Sequence, residues 1–124
     1  MIARRASSSL LLLASFASIL FLSACHSDHI DATIENHTGA VVQLLEIDYP
    51  SASFGVDRLE PGATFHYQFQ VRGSGPLSIQ YTDSNGHPAA ITGPSLAEHQ
   101  HGQLQIELLP QAKAKFAAQL TPVP

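Results

Sequence analysis

Histidines supply the candidate chemistry of this sequence. His26 and His29 stand three positions apart with Asp28 and Asp31 beside them. Such nitrogen and oxygen donors can hold Zn²⁺ or Cu²⁺. The segment is short, polar and not preorganised, so a solvated spacer is the plainer reading. His99-x-His101 is a second cluster, with Glu98 or His87 as a third ligand. In extended chain, residues i and i+2 share a face, and two imidazoles there would need that third donor. No HExxH and no paired-cysteine spacing accompanies either cluster. His87, His99, His101, His26 and His29 are therefore weak metal candidates, and no cofactor is expected.

The other chemistry-bearing residues are weaker still. Asp83-x-Asn85-Gly86 opens like a calcium loop, but the later oxygen donors and the distal glutamate do not follow. A hairpin turn explains it better. No serine lies in GxSxG or SxxK, and no catalytic residues are assigned. Asn36-His37-Thr38 fits a glycosylation sequon. The chain reads as non-enzymatic.

The N-terminal stretch is the most informative. Arg4 and Arg5 form a short positive region, Leu10 to Leu22 an apolar one, and Ser23-Ala24 precede Cys25. This is the shape of an export signal. Ser15, Ser18 and Ser23 interrupt the apolar run, which is short for the roughly 20 residues of a spanning helix. No hydrophobic residue stands two places after the second arginine, so Sec export fits better than the twin-arginine route.

Leu22-Ser23-Ala24-Cys25 resembles the lipobox of bacterial lipoproteins. The resemblance covers residues 1–25. It implies lipid attachment at Cys25, cleavage before it and a mature chain held in the envelope by its acyl chains. With His26 after the cysteine in place of aspartate, it implies the outer membrane, facing the periplasm. Two or more acyl chains give stable anchoring without a spanning helix.

Removing residues 1–24 leaves one domain's worth of chain. Cys25 is the only cysteine, so no disulfide supports the fold. Four basic residues (Arg58, Arg72, Lys113, Lys115) against ten acidic ones give −6. That charge disfavours nucleic acid and anionic headgroups as partners.

The elements that position these residues follow from period-two patterning. Residues 25–29 read as a tether. Ile30, Ala32 and Ile34 alternate with polar residues, and a turn follows at Asn36-His37-Thr38-Gly39. Val41, Leu45, Ile47 and Tyr49 share one parity, but Gln43 breaks it, which requires a bulge or burial on both faces. In residues 64–72, Phe65, Tyr67, Phe69 and Val71 face one side, a ladder that with Tyr81 reads as core. This strand and Leu77-Ile79-Tyr81 are placed to form an antiparallel hairpin. A short strand over 87–91 ends at Gly93-Pro94, residues 95–102 form a loop, and Leu104, Ile106 and Leu108 mark the last strand. Residues 111–124 read as a frayed tail or short helix.

Six or seven short strands over 30–110 imply an all-β, antiparallel sandwich resembling small immunoglobulin-like modules. Its glutamine-rich outer face (Gln68, Gln70, Gln80, Gln103, Gln105) suits contact with an envelope protein or a glycan. The expected role is an interaction or structural module. The alternative is a periplasmic lipoprotein binding a small ligand or metal through loop histidines.

Overall fold

A computed structural model describes residues 28–122. Cys25, His26 and the proposed signal lie outside the described residues. Eight strands are present: β1 (His29–Asn36), β2 (Val42–Tyr49), β3 (Ala52–Leu59), β4 (Thr64–Gln70), β5 (Gly75–Thr82), β6 (Pro88–Leu96), β7 (Gln100–Leu109) and β8 (Lys113–Pro122). They form two four-stranded sheets, in the orders β4-β1-β7-β8 and β3-β2-β5-β6. Among the described residues there is no helix long and apolar enough to cross a membrane.

The inner faces supply one continuous core. Ile30, Ile34, Ile47, Ile79, Leu104 and Ile106 are fully buried in it. Each alternates with a solvent-facing polar neighbour, so the pleat alone sorts the two classes. One lateral edge is closed by rings from the two edge strands there. Phe54 of β3 stacks on Tyr67 of β4 at 4.3 Å between centroids, and Tyr49 lies 4.5 Å from Phe69. The aromatic ladder is therefore an edge seal as much as a core. Phe69 is buried, while Tyr67 keeps 41% of its surface exposed. Tyr81 is buried in the opposite sheet.

Five sequence expectations change. The last strand expected was β7, but the residues after it form β8, paired with β7 from Leu109↔Lys113 to Gln100↔Pro122. Ala114, Phe116 and Leu120 pack against the core. Their alternation was hidden because Ala114, and Ala118 on the same parity, carry the small side chain that also favours helices. At the second lateral edge, Phe116 approaches Gly93 of β6 so closely that a Cβ there would stand 3.0 Å from its ring.

β4 and β5 do not pair, and each lies in a different sheet. Between them Val71 is buried while Gly73 takes φ +86°. A linker of that length covers the roughly 10 Å between packed sheets. β1 lies parallel to β7, with Ile34 opposite Ile106, so the sandwich is mixed rather than wholly antiparallel.

β6 runs through Gly93-Pro94 to Leu96. It is an edge strand, where a missing N–H costs no ladder bond, and its pairing with β5 shifts register at this point. Finally, His29, expected in the 25–29 tether, belongs to β1.

The parity break in β2 is a bulge. Leu44 has φ +52° and is 64% exposed, and the pairing with β5 shifts between Gln43 and Glu46. The extra residue explains how Val42 and Leu45 both point inward.

Candidate functional site

β1 is a central strand, and its outward residues Asp31, Thr33 and Glu35 form a row between β4 and β7. The registers place Gln68 opposite Asp31, His66 opposite Thr33, and Gln103, Gln105 and Glu107 on the other side. Cross-strand bonds knit this surface. Gln68 Nε2 donates to Asp31 Oδ1 at 2.9 Å, Thr33 Oγ1 and His66 Nδ1 are 3.3 Å apart, and Gln105 Nε2 donates to Glu35 Oε1 at 3.2 Å.

This face forms an open trough of about 590 Å³, lined by Asp31, Thr33, His66, Gln68, Gln103 and Gln105, with Ala117 and Gln119 of β8 forming the far wall. The volume falls within the usual range of small-ligand sites, about 300–1,000 Å³. Ala117 keeps that wall low, where a longer side chain would fill the trough. An amide both donates and accepts, so a glutamine-lined wall matches hydroxyl groups, which do the same. Gln68, Gln103 and Gln105 from the sequence reading meet here, whereas Gln80 lies on β5 in the other sheet.

Beyond the end of β1 the row continues into a second feature. His37 Nε2 lies 3.0 Å from Glu35 Oε2. One donor atom each from Glu35, His37 and Glu107 lies within 4.8 Å of the others. The turn that carries His37 is held from inside. Asn36 is fully buried, and its amide donates to the carbonyls of Ala40 at 2.8 Å and Leu59 at 2.9 Å. Its Oδ1 accepts from the Thr38 backbone N–H at 3.0 Å and from the Thr38 hydroxyl at 2.7 Å. The backbone N–H of His37 donates to the Leu108 carbonyl at 2.8 Å, fixing it beside Glu107.

Among the described residues, His87 stands apart from the other histidines singled out by spacing, whereas the β1–β7 register, with Ile30 beside Gly102, brings His29 next to His101. His87 sits at one end of β6 and His99 just beyond the other, separated by a nine-residue strand, or about 30 Å at 3.3 Å per residue. His99 has φ +67°, so the extended geometry that would align it with His101 does not exist. His99 Nδ1 instead lies 3.3 Å from Asp28 Oδ2, and His101, the second residue of β7, stands opposite Thr121. His29 lies at the start of β1, opposite Gln70.

The Asp83 carboxylate is committed to its own turn. Oδ1 accepts the backbone N–H of His87 at 2.8 Å and of Asn85 at 2.9 Å. These bonds, that from His87 foremost, hold its pKa below the ordinary value. Asp28 is likewise lowered, chiefly by its bond with His99 and then by that from Gln70.

The Glu35-His37-Glu107 group was not anticipated. Glu107 lies 70 residues beyond His37 and 72 beyond Glu35, and only the parallel β1–β7 pairing joins it to them. The one local signal was the placement of His37 in a turn directly after a strand.

No family model matches the chain, and no curated protein matches it. Among solved structures, it is similar to an NMR structure of a protein from Eubacterium rectale. The TM-score is 0.54 at 12% identity, over 77% of this chain and 92% of that one. The likeness is one of fold.

Proposed function

We propose that this chain is a lipid-tethered, non-catalytic envelope protein that binds an uncharged, hydroxyl-rich small ligand, of the oligosaccharide class, in the trough on the β4-β1-β7-β8 sheet. The observation that carries the reading is the trough itself. A concave sheet face offers amide, hydroxyl, imidazole and carboxylate groups within a single ligand-sized volume. Glutamines dominate it and no lysine or arginine lines it, which favours a neutral ligand over a phosphate.

A non-catalytic role fits the same face. Thr33 and His66 lie near each other, but β1 is paired on both sides, so its backbone N–H groups are committed to ladders. None is left to stabilise an oxyanion. The two packed sheets support the immunoglobulin-like likeness, in an eight-stranded form with its own strand order.

The tethered part of the reading rests on the Leu22-Ser23-Ala24-Cys25 motif. Asp28 is bonded to Gln70 and His99 at the base of the sheet, so only residues 25–27 separate a lipid on Cys25 from the folded domain. Three residues reach at most about 11 Å. The domain would then sit close to the outer-membrane surface with β1 leading away from it.

Titrating the ¹⁵N-labelled Cys25→Ser chain with a panel of neutral oligosaccharides tests the ligand. Shifts confined to β1, β4, β7 and β8, and abolished by Ala117→Trp, are expected. Shifts absent across the panel, or mapping to the other sheet, would overturn the reading. Intact mass from a bacterial host tests the tether: loss of residues 1–24 with added acyl chains is expected, and both should vanish in Cys25→Ser.

A further inference from the structure

We propose that Glu35, His37 and Glu107 form a binding site for a divalent cation of the Zn²⁺ class, at the end of the trough remote from the start of β1. The site stands apart from the ligand reading and does not depend on it.

The donor set has the right chemistry. One imidazole and two carboxylates match the nitrogen and oxygen ligands of Zn²⁺, whereas Ca²⁺ and Mg²⁺ favour oxygen alone. Tetrahedral Zn²⁺ with bonds of about 2.1 Å places its donors about 3.4 Å apart. Glu35 Oε2 and His37 Nε2 are at 3.0 Å, and all three donor atoms fall within 4.8 Å. Rotation of the half-buried carboxylate ends and the exposed imidazole covers that difference without moving a strand.

The scaffold restricts each ligand. Glu35 and Glu107 are register partners on adjacent paired strands, so their Cα atoms are fixed by the β1–β7 ladder. Gln105 Nε2 engages Glu35 Oε1, which leaves Oε2 turned toward His37. Such outer contacts orient ligands and sharpen metal affinity. The buried amide of Asn36 closes the turn that carries His37, and the His37 N–H is tied to Leu108, next to Glu107.

Three protein donors leave at least one coordination position open to water or to a ligand oxygen. Lys115 stands opposite Glu107 on β8 and is exposed. Its charge lowers the attraction for a cation, which places the site in a moderate rather than a tight affinity range.

Calorimetric titration of Zn²⁺ into the Cys25→Ser chain, which has no thiolate to compete, provides the test. Saturation near one equivalent is expected, with affinity falling at least tenfold in Glu35→Gln and in His37→Asn. His99→Asn should keep wild-type affinity. Gln105→Ala should weaken binding by about tenfold. Melting in chelator should be unchanged in each variant, and Glu107→Gln substitutes for any that fails this control. Absence of Zn²⁺ binding, or equal affinity in wild type, Glu35→Gln and His37→Asn, would overturn the site.

Discussion

The side-chain amide of Asn36 donates to the backbone carbonyl of Leu59 at 2.9 Å, joining the end of β1 in one sheet to the end of β3 in the other. The same side chain closes the 36–40 turn through Ala40 and Thr38. A buried amide is costly unless every polar atom is paired, and this one is paired at both ends.

Asn36→Ala should therefore be among the most damaging single substitutions. It leaves the Leu59 carbonyl without its side-chain partner and frees the turn. A loss of about 2–4 kcal/mol is expected. Urea unfolding followed by circular dichroism measures it. A loss under 1 kcal/mol would mean that water replaces the amide without cost.

The turn into β8 makes a prediction whose sign separates two structures. Gln111 and Ala112 both adopt left-handed backbone, at φ +66° and +54°. A side chain there costs about 1–2 kcal/mol relative to the right-handed region. Ala112→Gly should relieve that strain and stabilise the domain by about 1 kcal/mol. In a helix the same change would destabilise by about 1 kcal/mol. Thermal melts of the two chains decide between them.

The sequence exposed what is local. Alternation located β1, β4, β5 and β7, Gln43 announced the bulge in β2, and Asp83-Asn85-Gly86 announced the β5–β6 turn. It hid what depends on pairing between distant segments. β8 was masked because alanine stands at 114 and 118, the parity where leucine would have shown the period. The turn before it has no glycine or asparagine to mark left-handed backbone. The trough requires β4 and β7 to flank β1, and the Glu35-His37-Glu107 group requires a parallel pair. His99-x-His101 misled for the opposite reason: the spacing was suggestive, but a left-handed turn residue removed the geometry it assumed.

Two carboxylates should give opposite pH signatures. Glu46 is held above its ordinary 4.5 by Asp48, first through a hydrogen bond between the two side chains and then through repulsion. For a group raised on folding, the stabilising contribution is complete below the unfolded value and is lost as pH rises through the folded one. Glu46→Gln should thus stabilise the domain at neutral pH and make little difference near pH 3. Asp83 lies below its ordinary 3.8 because the backbone N–H groups of His87 and Asn85 favour its charged form. Its contribution is present above the unfolded value and lost as pH falls through the folded one. Asp83→Ala should therefore destabilise at neutral pH and converge with wild type in acid. Urea midpoints for the three chains between about pH 3 and 7 read both effects. If Glu46→Gln also destabilises at neutral pH, the two acidic side chains do not share the outer face of β2 in the way their register implies.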